Sequence, residues 1–258
     1  MIFESHAHYD DERFDEDRDQ LLSSMQENGI EYIVNIASDI ESVKSTIELT
    51  NKYSFIYGAV GVHPSDVGEL DDAKIEWLYE QSKNDKVVAI GEIGLDYYWE
   101  KEEAAKEIQK KWFVAQLNIA KKANLPVVIH SRDAAKDTLD IMKDEKADKI
   151  GGVVHCFSYS KEMASEYVNM GFYIGIGGVI TFSNAKKLKD AVEVIPLEKI
   201  VLETDCPYLA PVPNRGKRNS SLNLPYIAEE IANIKGVTYE EVAALTNKNA
   251  KELFGIGK

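Results

Sequence analysis

Ile2-Phe-Glu-Ser-His-Ala-His8 is a short β-type run that ends in two histidines two residues apart. A doubly wound open sheet normally follows its first strand with a glycine-rich phosphate loop, and here His6-Ala7-His8 stands in that place. Outward from this segment, β-rich runs alternate with stretches of helical period to the far end of the chain. Strands are predicted over 2–5, 32–36, 56–61, 87–92, 127–130, 152–155, 172–176 and 200–204. Helices are predicted over 14–28, 40–52, 73–81, 102–123, 134–143, 161–170, 185–195 and 226–234, with 239–254 appended. Gly29, Gly171 and the Asn124-Leu-Pro126 break supply helix stops. Eight rounds over 258 residues give about 32 residues each, the size of a βα repeat in a closed barrel. The expected fold is therefore α/β, a (β/α)8 TIM barrel forming one domain over residues 1–258, with the open sheet as second choice.

Composition narrows the function classes. The chain is 44% hydrophobic and 29% charged, with 30 Lys plus Arg against 44 Asp plus Glu and a net charge of −14. That balance places it among globular chains and repels nucleic acid and acidic membranes unless something local reverses the field. Two cysteines, Cys156 and Cys206, are too few for a disulfide framework. The N-terminal residues MIFESHAHYDD carry no basic-then-apolar leader, and no run of 18 apolar residues occurs. A cytoplasmic protein with no membrane association and no obligate protein partner is expected.

The five histidines, at 6, 8, 63, 130 and 155, all fall at or just beyond a predicted strand's C-terminal end. Glu92 and Asp205 occupy equivalent places. In a barrel those ends converge on one mouth, so residues 25 to 55 positions apart become one cluster. Imidazoles with carboxylates suit Zn, Mn, Fe or Co better than Ca, with Mg also admissible. Six candidate ligands, His6, His8, Glu92, His130, His155 and Asp205, exceed the need of one tetrahedral ion and suit two divalent ions with open positions for water, Glu92 being the natural bridge. For His63, in Gly61-Val-His-Pro64, a turn role or a substrate contact stands beside ligation. Glu203, two residues before Asp205, is expected to orient a ligand. Strand alternation points Cys156 and Cys206 into the barrel wall. Tyr97-Tyr98-Trp99 reads either as a stacking platform for nucleobases or as packing. Trp112 reads as core, and the acidic run 10–19 as a solvated helix start.

Taken together, the ordered blocks resemble the TatD family of metal-dependent deoxyribonucleases, an amidohydrolase-like branch. They are Ser5-His-Ala-His8, Gly61-Val-His-Pro64, Gly91-Glu-Ile-Gly-Leu-Asp-Tyr97, Val128-Ile-His-Ser-Arg132, His155-Cys-Phe-Ser158, Leu202-Glu-Thr-Asp-Cys-Pro-Tyr-Leu-Ala-Pro211 and Gly216-Lys-Arg-Asn219. After Asn219 the family often continues with Glu-Pro or Gln-Pro, where this chain has Ser220-Ser221. The resemblance implies a barrel with two ions, one held by His6, His8, Glu92 and Asp205, the other by Glu92, His130 and His155, with His63 assisting at the scissile phosphate. It implies hydrolysis of DNA phosphodiester bonds by a hydroxide that bridges the ions, with Asp205 as general base and His63 as proton donor. The acidic surface favours exonuclease action on single-stranded or frayed DNA ends, in repair or degradation. Arg215, Lys217 and Arg218, the one dense basic segment, are expected to grip the substrate. A carbonyl hydrolase (amidase, lactonase or aminoacyl-ester deacylase) on the same site is the first alternative, and a non-catalytic metal-binding barrel the second.

Overall fold

A computed structural model describes residues 1–257. Its eight strands are β1 (Ile2–Ala7), β2 (Ile30–Ile36), β3 (Ile56–Val60), β4 (Val87–Asp96), β5 (Val127–Arg132), β6 (Gly152–Val154), β7 (Tyr173–Ile176) and β8 (Ile200–Leu202). All pair in parallel, in sequence order. The two edges then meet: the Asp205 N–H donates to the His6 carbonyl at 3.0 Å, and the His8 N–H donates to the Cys206 carbonyl at 2.8 Å. The expected (β/α)8 barrel is what forms. Its helices are α1 (Arg18–Ser23), α2 (Ile40–Lys52), α3 (Asp72–Gln81), α4 (Glu103–Ala123), α5 (Ala135–Asp144), α6 (Lys161–Asn169), α7 (Lys186–Val194), α8 (Leu224–Lys235) and α9 (Tyr239–Phe254). Among the described residues, no helix is long and apolar enough to cross a membrane.

Strand alternation divides the apolar residues into two cores. One, with Ile33, Ile129, Phe113 and Leu117, lies between strands and helices. The other fills the barrel: Phe3, Val34, Val88, Val128, Val153 and Val201 meet inside, plugged by Phe254 at the end of α9, whose ring stacks on Phe3 at 5.9 Å between centroids. Two residues beyond Val128, Val153 and Val201 come His130, His155 and Glu203. The interior thus changes from apolar to polar within one step of the pleat. Trp112 is buried, as read from its helical spacing.

Three elements on the approach to the mouth depart from the sequence reading. The helix expected over 14–28 shrinks to α1, because the Arg18 guanidinium donates to the carbonyls of Tyr9, Asp10 and Asp11 and to the Asp15 carboxylate, holding the preceding segment in turns. β4 runs four residues past Glu92 to Asp96, and β5 two past His130 to Arg132, the two extensions pairing with each other.

Candidate metal centre

Glu92 sits at the middle of the mouth, 3% exposed, and its two oxygens face different histidine pairs. Oε2 lies 3.4 Å from His6 Nε2 and 3.9 Å from His8 Nε2. Oε1 lies 2.7 Å from His130 Nδ1 and 2.6 Å from His155 Nε2. Asp205 closes the first group, with Oδ1 at 3.3 Å from His8 Nε2 and 3.6 Å from His6 Nε2. All six residues expected as ligands are thus brought together, in two groups that share Glu92.

In two of the rings a neighbouring hydrogen bond fixes which nitrogen is free. His8 Nδ1–H donates to the Ile36 carbonyl at 2.8 Å, leaving the Nε2 lone pair to face Asp205 and His6. His130 Nε2–H donates to Asp96 Oδ2 at 3.0 Å, leaving Nδ1 to face Glu92 and His155. This carboxylate-to-imidazole support is the usual way a ligating ring is oriented and made more basic. The facing nitrogens of His6 and His8 are 3.2 Å apart, as are those of His130 and His155. Imidazole nitrogens converging on each other and on carboxylate oxygens form a donor set that a divalent cation satisfies, and the residues present fit two such ions.

His63 is built differently. Its Nδ1 accepts the Ser65 backbone N–H at 3.1 Å, so the neutral ring carries its proton on Nε2, 3.8 Å from Glu92 Oε1. Burial, with the neighbouring charge of His130, pushes its pKa down to about 3. The ring is therefore a neutral N–H donor facing the centre, and its lone pair is spent on the turn. Burial works to raise the Glu92 carboxyl, but the charge of His155 and hydrogen bonds from His130, His155 and His6 hold it well below the usual carboxylate range.

Glu203 lies beneath the centre. Oε1 accepts the Cys156 N–H and is 3.8 Å from His155 Nδ1, while Oε2 and the Nδ1 atoms of His6 and His155 are buried without a partner. A side chain at position 175 would meet Glu203 Oε2 at 2.2 Å, so Gly175 makes its room. Glu203, expected to orient a ligand, makes no hydrogen bond to either ring. Cys206 is buried as expected. Cys156 is not turned into the wall: β6 stops at Val154, Cys156 takes a positive φ of 44°, and it lines the cavity.

The mouth opens as a cavity of about 740 Å³. Eight carboxylates line it, from Asp10, Asp11, Glu12, Asp39, Asp66, Glu92, Asp96 and Asp205, against one Lys or Arg side chain, Arg132. The basic segment does not reach it. Arg218 forms an ion pair with Asp17 and donates to the Arg13 carbonyl, Arg215 lies over the Phe182 ring, and Lys217 is exposed outside. None of Arg215, Lys217 and Arg218, the residues expected to grip the substrate, lines the cavity, and Arg218 and Arg215 are engaged by Asp17 and Phe182 instead. Sequence reasoning missed Asp96 and Arg132. The period-two series Glu92, Gly94, Asp96 and His130, Arg132 is the signal that could have found them.

The comparisons with known proteins agree with this geometry. Residues 3–255 match the family model described as TatD related DNase. YabD of Bacillus subtilis, named an uncharacterized metal-dependent hydrolase, is 44% identical over 99% of this chain and 100% of its own. The protein named 3'-5' ssDNA/RNA exonuclease TatD from Shigella flexneri is 34% identical over 95% of each chain. Among solved structures, the Escherichia coli TatD homolog YJJV superposes with a TM-score of 0.91 at 29% identity, covering 99% of this chain and 98% of the other. With one family matched along almost the whole chain and a donor set built for divalent ions at its barrel mouth, this chain belongs to the TatD-related DNase family of metal-dependent hydrolases.

Proposed function

We propose that the chain is a phosphodiesterase that removes nucleotides from single-stranded or frayed DNA ends. The observation that carries the hydrolytic reading is the division of Glu92's two oxygens between two histidine pairs. His6, His8, Glu92 and Asp205 would hold one ion and Glu92, His130 and His155 the other; when bound, the pair would supply positive charge for a phosphate and acidify a water. Asp205, facing the cavity, takes up the proton that the attacking water sheds. His63 Nε2–H, a neutral donor beside Glu92, hydrogen-bonds the departing oxygen and steadies the charge that develops there, and solvent supplies the proton that this oxygen finally takes. Asp96 holds the His130 ring, and Glu203 faces the His155 ring at 3.8 Å. Eight carboxylates around the opening disfavour a long bound duplex, since each phosphate contact needs its own cation. A strand end that enters only as far as the ions meets that requirement, and the name of the Shigella relative agrees with it.

The test pairs metal content with digestion of an end-labelled oligonucleotide. Shortening from one end, abolished by a chelator and restored by Mg, Mn or Zn, is the expected result. Intact oligonucleotides together with turnover of an ester or amide panel would move the chemistry to carbonyl carbon.

The two kinds of histidine are separable. His130→Ala or His155→Ala is expected to lower bound metal. His63→Ala is expected to retain metal and lose turnover by about 10²–10³-fold, the range for removing one hydrogen-bond donor aimed at developing negative charge. Metal lost from the His63 variant would make it a ligand and remove its role as donor.

A further inference from the structure

Arg132 is the one Lys or Arg side chain among the described residues that lines this otherwise acidic cavity. Arg13, Arg18 and Arg218 are each paired with a carboxylate, Asp11, Asp15 and Asp17 respectively. The Arg132 guanidinium makes no ion pair or side-chain hydrogen bond among the described residues. Its Cζ lies over the Tyr98 ring, 3.8 Å from the centroid, and 5.6 Å from the centroid of Trp99, the two rings making an aromatic shelf. Stacking of this kind positions a guanidinium without using its five N–H donors. Those donors are the fork that matches two oxygens of a phosphate.

The shelf is itself unusual. Tyr98 is 42% and Trp99 66% exposed, and their rings meet edge to face at 4.7 Å. Trp99 also lines the cavity. Tyr97, by contrast, turns back and donates its hydroxyl to Asp137. The segment is held from below by Asp96, whose Oδ1 accepts the backbone N–H groups of Tyr98 at 2.9 Å and Trp99 at 3.3 Å. The other oxygen of the same carboxylate holds His130. One side chain therefore fixes the aromatic shelf and a candidate metal ligand in a single frame.

We propose that Arg132, Tyr98 and Trp99 form a nucleotide subsite beside the metal centre, in which a base of a single strand stacks on Trp99 and the adjoining phosphate is gripped by Arg132. A base within a duplex cannot present its face to Trp99, so the subsite selects unpaired ends. The subsite rests on the phosphodiesterase reading above, and it adds the part of the substrate recognised and the residues that recognise it.

The test uses the holoenzyme and two single-stranded oligonucleotides of equal length, one normal and one abasic over the last four positions at both ends. Base stacking on an aromatic side chain is worth about 1–3 kcal/mol, so Trp99→Ala is expected to raise KM for the normal strand by about 5–150-fold and to shrink the preference for normal over abasic ends by the same factor. Arg132→Ala is expected to raise KM for both strands and to flatten the slope of log affinity against log salt by about 0.7, the value of one single-strand phosphate contact. Arg132→Lys is expected to recover the salt slope but only part of the KM, because it keeps charge without the fork. A readout independent of turnover is quenching of tryptophan fluorescence by a phosphorothioate oligonucleotide, expected in the wild type and lost in Trp99→Phe.

An unaltered KM, salt slope and fluorescence response in these variants, with the wild type digesting oligonucleotides, would overturn the subsite and leave the phosphodiesterase standing. Wild-type enzyme that neither binds nor digests oligonucleotides while hydrolysing carbonyl substrates would overturn both.

Discussion

Glu92→Gln is expected to leave the barrel folded, to lower bound metal and to reduce turnover by about 10³-fold, the scale on which a single preorganised electrostatic contact acts in catalysis. The amide keeps the volume of the buried side chain and removes the charge that two histidine pairs share, 2.6–2.7 Å away on one side and 3.4–3.9 Å on the other. Metal analysis and circular dichroism on the same preparation separate the site from the fold. Wild-type metal content with a wild-type rate would mean that the two groups are not joined through this carboxylate.

The second large effect lies in the backbone. Gly94 pairs with His130 between β4 and β5 and has φ +145°, a conformation that side chains rarely adopt. A Cβ there would fall 1.9 Å from the His130 carbonyl oxygen, so one of the two strands has to move. Strain at such a φ and overpacking against backbone together give Gly94→Ala an expected cost of about 3 kcal/mol or more. In a chain of this size that lowers Tm by roughly 6–12 °C. Because the displaced residue is His130, bound metal is expected to fall as well. Thermal unfolding with and without added metal checks this, and an unchanged Tm would show that the pairing gives way without cost.

The strands and the gathering of ligands were legible because both depend on local pattern. A β-rich run bounded by turn residues announces itself, and a histidine at its end needs only the barrel's geometry to find its companions. What escaped notice depended on length or on distant partners. With β4 ended at Glu92 and β5 at His130, Asp96 and Arg132 fell into imagined loops, although the pleat carries them on the same side as the ligands. The helix expected from residue 14 gave way to turns under the hydrogen bonds of one arginine, Arg18. Arg218 looked free because Asp17, its partner, stands 201 residues earlier. Cys156 was misplaced by carrying alternation beyond the end of a strand that stops at Val154.

The seam where β1 meets β8 also sets a timetable. Ser5 Oγ donates to the Leu202 carbonyl across 197 residues, and the neighbouring backbone bonds join His6 to Asp205 and His8 to Cys206. During synthesis His6 and His8 emerge first and Asp205 follows only after all eight strands have been laid down. Contacts of such long range form late, since the closure entropy of everything between them has to be overcome. A chain still on the ribosome, or one clipped ahead of residue 200, carries an incomplete donor set. The cluster at the mouth is therefore complete only once the last strand is in place.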